Sequence, residues 1–163
     1  MQTYQGRFRA THDGDIVIFL VGMRFLSWRA LPTALRTFAR MPRMLAELES
    51  DPNLGCLGSS VAFVAWGATI TQYWESSAAL EGFARKRTGS HLAAWQWFNA
   101  LGGTSHGVGV WHESYRVAAG ASESMYVNMP RVGLAAARGH RPLGRPQQTS
   151  TDEVREGEVL AGA

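Results

Sequence analysis

The stretch from Gly107 to Met129, GVGVWHESYRVAAGASESMYVNM, decides how the rest of the chain is read. It reads as a strand, a short turn and a second strand. Side chains alternate sides along a strand, so Val108, Val110, His112 and Ser114 share one face of the first strand. Gly109, Trp111, Glu113 and Tyr115 share the other. Polar tips at His112, Glu113 and Tyr115 stand out in an otherwise apolar strand. Tyr126 and Asn128 repeat that pattern in the second strand. His112 and Glu113 point to opposite sides, so they cannot form a dyad with each other.

Upstream, Ile16–Met23 is a β-branched and aromatic run after the turn signal Asp13-Gly14-Asp15, and it predicts a buried strand with Arg24 at its exit. Residues Gly6–Thr11 are polar and read as a lead-in to that strand. Pro32 suits the first turn of a helix. Leu35, Phe38, Met41, Leu45 and Leu48 recur at helical spacing, and Pro42 interrupts them, predicting a kink or two abutting helices near Met41. Asp51-Pro52-Asn53 stops the helix. Leu54–Trp66 is a Gly-rich strand, Trp66-Gly67-Ala68 a hairpin turn, and Thr69–Trp74 the partner strand. There Ile70, Gln72 and Trp74 face one way, Thr71 and Tyr73 the other. Ser76 or Ser77 can cap the next helix, which carries Leu80, Phe83 and Ala84 on one face. A further helix starts at His91, carries Trp95 and Phe98, and ends at Gly102-Gly103.

This order is the split βαβ pattern of an α+β, ferredoxin-like domain, βαββαβ, with an extra C-terminal strand. Beyond Arg138 the composition shifts to Gly, Pro, Gln, Ser and Thr. Residues 1–137 are therefore expected to form one domain and 138–163 a flexible or loosely docked tail.

A chain of 163 residues that is 45% hydrophobic suits one domain with its own core. The single cysteine, Cys56, allows no intramolecular disulfide and fits a reducing cytoplasm. Flanked by Gly55 and Leu57, it reads as packed rather than nucleophilic. No apolar run is long enough for a signal core before Asp13 or for a membrane span, so neither export nor a membrane partner is expected. The net charge of +3 is carried by scattered arginines, with Lys86 the one lysine. No compact basic run is interleaved with aromatics, so no nucleic-acid partner is expected. The chain has no GxGxxG, P-loop, HExxH, GxSxG or paired CxxC. His12, His91, His106, His112 and His140 show no metal-ligand spacing.

Six stretches carry a resemblance: VIFLVGMRF (Val17–Phe25), RMPRMLAEL (Arg40–Leu48), TQYWESSAALEGFAR (Thr71–Arg85), HLAAWQWFN (His91–Asn99), VGVWHESYRV (Val108–Val117) and ESMYVNMPRVGL (Glu123–Leu134). Together they resemble the dimeric α+β-barrel superfamily of antibiotic-biosynthesis monooxygenases. Within it the chain is similar to the fumagillin-pathway monooxygenase-like family, formerly a domain of unknown function. WHESY and YVNMP are the specific segments. Ser122 departs from the pattern, standing where the family carries a bulky aromatic. The resemblance implies a homodimer in which two open sheet faces meet, and a hydrophobic small-molecule substrate held between sheet and helices. A sheet with helices on one side leaves an apolar face exposed, and pairing buries it.

The resemblance also implies a small tailoring monooxygenase of secondary metabolism that needs no cofactor. His112 would act as acid/base, with Tyr126 and Asn128 orienting substrate. A structural imidazole bonded to a neighbouring strand is the other reading of His112. Asn128 could equally satisfy backbone at the Met129-Pro130 turn. Trp74, Trp95, Phe98 and Trp111, with Arg24, are the expected substrate-binding set; core packing accounts for most of these aromatics equally. Glu113 is expected to pair with Arg24. In the haem-degrading branch of the superfamily a helix-start histidine ligates iron, which makes His91 a haem ligand in the alternative reading, with Trp95 and Phe98 beside the porphyrin. A cyclase, an isomerase or a ligand-binding protein without catalysis completes the alternatives.

Overall fold

The computed structural model describes residues 2–39, 41–85 and 107–144. Strands β1 (Tyr4–Ala10) and β2 (Ile16–Phe25) open the chain, followed by helices α1 (Leu31–Phe38) and α2 (Met41–Ser50). Strands β3 (Cys56–Val64) and β4 (Gly67–Trp74) form a hairpin, and α3 (Ser77–Ala84) follows. Then come β5 (Val108–Val117), β6 (Tyr126–Met129), α4 (Leu134–Arg138) and β7 (His140–Pro142). The expected helix at His91, with Trp95 and Phe98, lies outside the described residues.

The main sheet is antiparallel, in the order β3-β4-β2-β5. That is the ferredoxin-like arrangement, with the first strand of the βαββαβ unit at the centre. β2 takes the centre because it is apolar on both faces. Val17 packs with Leu48, Trp74 and Phe83, flanked by Phe19, Leu45 and Leu80, which is the core under the helices. Ile16 faces the other way and packs with Ala10, Leu134 and Ala135, flanked by Ile18, Tyr73, Val117 and Tyr126. Burying side chains of this size stabilises the fold by about 1.5–3 kcal/mol each.

Local signals hold where the chemistry is local. The chain breaks into two helices at Met41-Pro42, as proline's missing donor requires. Ser76 Oγ accepts from the Ala79 amide at 3.1 Å and caps α3; such a cap contributes about 1 kcal/mol. Phe83 on that helix is buried, while Leu35 on α1 is exposed, outside the stripe expected of it.

Two expectations change. Residues 6–11 are not a lead-in: they belong to β1, which pairs with β6 on one side and β7 on the other in a second, three-stranded sheet. The strand bearing Tyr126 therefore pairs with β1 and not with β5. The connection after β5 is too long for a tight hairpin, and side chains pin it back to the start of the chain. Asp15 Oδ1 accepts from the Ala119 amide and Ser124 Oγ from the Ala10 amide, each at 2.9 Å. The first residues of the expected tail are docked too, since Ala10 pairs with His140 and Arg9 with Arg141. Residues 145–163 lie outside the described residues.

Candidate functional site

β5 places His112 opposite Val21 of β2, on the helix-side face of the main sheet. Its ring lies 5.7 Å from that of Phe19, centroid to centroid, and the side chain is exposed. Val110 and Ser114 share this face, opposite Met23 and Phe19. Glu113 sits opposite Leu20 on the other face, so the two polar groups diverge as alternation demands.

Glu113 does not pair with Arg24. Its carboxylate accepts from the Tyr115 hydroxyl at 2.6 Å. Arg24 lies further along, opposite Gly67 and Gly109, too far down the ladder to reach. The hydrogen bond to the carboxylate, with its charge, raises the Tyr115 pKa, so the phenol keeps its proton. Trp111 lies on the same open face, flat over Gly22. A β-carbon at Gly22 would collide with the indole, its Cζ2 being 2.6 Å from that position.

Tyr126 points into the core on the side away from His112. Its phenol oxygen accepts from the Ala135 amide at 3.2 Å, at the start of α4. Tyr73 arrives at the same place from β4, where the Leu134 amide donates to its oxygen. Burial raises the Tyr73 pKa, the nearby Tyr126 raises it further, and the Leu134 amide opposes both. Gly133 sits between them with φ 56°, and a β-carbon there would lie 3.2 Å from the Tyr73 oxygen. Asn128 stands in the left-handed region, φ 52°, and its Oδ1 accepts from the Gly6 amide at 2.8 Å. It thereby satisfies the irregular start of β1 and not the Met129-Pro130 turn.

The three expected catalytic residues are thus not one constellation. His112 is on the helix side, Tyr126 is on the opposite side, and Asn128 is in the second sheet. Trp74 belongs to the core: it is 0% exposed, and its indole N–H donates to Gln72 Oε1 at 3.1 Å. Strand alternation together with the Val17 pairing puts it on the helix-side face, packed between Leu48 and Phe83. Arg24 is exposed at the strand end. His91, Trp95 and Phe98 lie outside the described residues. Sequence reasoning missed Tyr73 as the partner of Tyr126. The signal was its place on the strand face opposite Trp74 and the glycine of PRVGL.

A cleft of about 150 Å³ opens at the β3 edge, lined by Glu49, Ser59, Ser60, Tyr73 and Gly133 among others. It is roomy enough for a few waters, whereas drug-sized ligands need about 300–1,000 Å³. Among the described residues, no three His, Cys, Asp or Glu side chains converge as metal ligands. Among them also, no helix is long and apolar enough to cross a membrane.

The sheet order defines a ferredoxin-like protein. The chain belongs to the Monooxygenase af470-like family, whose model matches residues 16–134. No curated protein matches it. Among solved structures it is similar to the aldoxime dehydratase OxdRE, crystallised with butyraldoxime, with a TM-score of 0.61 and 15% identity. That likeness covers 85% of this chain and 44% of the dehydratase, so the chain spans less than half its length. It is also similar to an antibiotic-biosynthesis monooxygenase-type protein from Deinococcus radiodurans, with 15% identity over 60% of this chain and 89% of that one and a TM-score of 0.44. A protein of the same type from Caulobacter crescentus is 17% identical over 64% and 91%, with a TM-score of 0.42.

Proposed function

We propose that this chain is a small tailoring monooxygenase acting on a hydrophobic natural-product intermediate, with His112 as its proton-handling group. The observation that carries the proposal is the place of His112: an exposed imidazole beside the Phe19 ring on the helix-side face of the sheet. Imidazole exchanges protons near neutral pH, and a positioned general acid or base contributes about 10²–10⁴ in rate. Membership of a monooxygenase-like family supports the oxidative reading. Tyr126 and Asn128 already serve backbone amides, so they hold α4 and β1 in place on the side of the main sheet away from His112. The enzyme works as a cytoplasmic homodimer joined through the open face that carries Leu20, Trp111 and Tyr115.

The test uses electron-rich phenols as probes, incubated with the purified protein under isotopically labelled dioxygen. Label in the product, with turnover in His112→Ala lower by about a hundredfold or more, is expected. Full turnover by His112→Ala would remove the residue from the chemistry.

The proposal requires no cofactor; haem is the alternative. Of its expected ligands, His91 lies outside the described residues. His112 offers an exposed nitrogen donor beside an aromatic ring and would hold the iron. Haem would supply one-electron and dioxygen chemistry. A Soret band lost in His112→Ala or His91→Ala separates this reading from the first.

A non-oxidative reaction is the second reading, and the similarity to an aldoxime dehydratase favours it, since one fold can host both reaction types. Equal turnover of a probe under argon and under dioxygen would decide for it.

A further inference from the structure

The end of the main sheet where β3 turns into β4 carries an exposed aromatic cluster. Trp28 and Trp66 meet edge to face at 4.7 Å, and the Phe25 ring lies 5.4 Å from Trp66. Leu26 is 66% exposed, Trp28 70% and Trp66 47%. Trp66 holds φ 67°, a left-handed conformation that bulky residues rarely take. The chain spends backbone strain there on keeping a large ring at the tip. The Phe25 amide donates to the Trp66 carbonyl at 2.9 Å, and the Leu26 amide to the Gly107 carbonyl at 2.7 Å, so the tip is tied to the sheet.

Charge is divided along the same axis. From Ile16 to Ala46 the sequence has five arginines and no carboxylate. From Pro52 to Trp74 it has no charged residue, and from Gly82 to His112 no carboxylate. The acids between Ile16 and His112 are Glu47, Glu49, Asp51, Glu75 and Glu81. Glu47, Glu49, Asp51 and Glu75 flank the other end of the sheet, where Cys56 pairs with Trp74, and Glu81 lies on the helix that starts there. Arg24 and Arg29 stand at the tip, and Arg36 and Arg43 are exposed on α1 and α2. Within this stretch the fold gathers Arg24 and Arg29 at the aromatic tip and the carboxylates toward the other end of the sheet, where Arg116 also lies, opposite Val17.

We propose that this tip docks on the surface of a bilayer containing anionic phospholipid. Tryptophans sit at the headgroup level, aliphatic side chains enter the acyl boundary, and arginines meet lipid phosphates. Arg24 and Arg29 at the tip attract the anionic surface and set the direction of approach. A second copy is the poorer occupant, because an isologous contact would set Arg24 and Arg29 against their own images with no carboxylate at the tip among the described residues. Nucleic acid is poorer too, because it offers nothing that desolvates Leu26. The proposal replaces the sequence expectation of no membrane partner, and it stands independently of the reaction.

Flotation with phosphatidylcholine vesicles, and with vesicles of phosphatidylcholine and phosphatidylglycerol, tests it. The protein is expected to float with the anionic vesicles, less so as salt rises. Arg29→Gln is expected to lower partition about fivefold, the share of one arginine near such a surface. Leu26→Glu with Trp28→Glu is expected to abolish it, while Val127→Glu, an exposed apolar site on the second sheet, binds as the parent does. Should the double variant fail to fold by circular dichroism, Arg29→Gln and the salt dependence decide. The proposal is overturned if the parent floats with neither vesicle or if Arg29→Gln and the folded tip variants float undiminished. It is equally overturned if the tip variants shift the sedimentation coefficient, revealing a protein interface, or if the protein retards single-stranded RNA while leaving vesicles bare.

Discussion

Gly133 shows what a single position carries in this protein. Its φ of 56° with ψ of −133° is a backbone state essentially reserved for glycine, and the Tyr73 oxygen would sit 3.2 Å from an added β-carbon. Gly133→Ala is therefore expected to lower stability by about 1–3 kcal/mol, measured by urea unfolding. A loss under a few tenths would show that the segment before α4 relaxes freely. Cys56 makes the opposite case, a residue whose chemistry the fold suppresses. Burial raises its thiol pKa, a hydrogen bond from the Gly58 backbone works against that, and the charge of Glu49 adds to it. A raised pKa means less thiolate at any given pH, and thiolate is the reactive form. Alkylation at mildly alkaline pH should thus be slower in the native protein than in the guanidinium-unfolded chain. Equal rates would mean the thiol is as open as in a coil.

α4 is an element whose start depends on tertiary structure. Its N-cap, Gly133, has no side chain, and two phenol oxygens from distant strands take the first amides instead. Tyr73→Phe and Tyr126→Phe each remove one acceptor, and each is expected to cost about 1 kcal/mol. Because both serve one short helix, the double variant should lose less than the two costs summed. The Tyr73 pKa is raised in the folded state, so its contribution is complete below the ordinary phenol range and is lost as pH rises through the folded value. Stability of the parent should fall at strongly alkaline pH more steeply than that of Tyr73→Phe; parallel curves would deny the coupling. This element also marks the limit of what the sequence could tell. The alternation of Ile70, Gln72 and Trp74 against Thr71 and Tyr73, the Pro42 break and the Ser76 cap were legible because each cause lies within a few residues. The capping of α4 was not legible, since its acceptors come from β4 and β6. β1 was obscured as well, because Gly6 at φ 101° and the irregular register between Tyr4 and Arg7 break the alternation that marks a strand. His112 and Glu113 were placed correctly on opposite faces, but pairing across strands could not be read, so Glu113 found Tyr115 in place of Arg24.

The second sheet and α4 cover one end of the open sheet face, where Ile16 and Ile18 lie. They leave the stretch from Leu20 through Gly22, with Glu113 and Trp111 opposite it and Tyr115 at its margin, outside that cover. Trp111 is 38% exposed and Tyr115 50%. The absence of a β-carbon at Gly22 lets the indole lie flat, which makes this part of the face smooth enough to meet its own image across a two-fold axis. A stable dimer needs about 800 Å² from each partner, more than Trp111 and Tyr115 supply between them, so neighbouring Leu20, Thr69 and Thr71 must join the contact. The strand register puts those residues on the same face. Trp111→Glu would add a second carboxylate beside Glu113 in that contact, with no hydrogen bond such as Tyr115 gives Glu113, and is expected to leave a folded monomer. Sedimentation velocity should show the parent as a dimer and the variant as a monomer. The melting temperature of the parent should rise with protein concentration, and that of the variant should not. Gly22→Ala, which lifts the indole without adding charge, should weaken the dimer in the same direction. A parent that sediments as a monomer at every concentration would leave the open face without its proposed partner, while the assignment of His112 on the other side of the sheet would still stand on its own test.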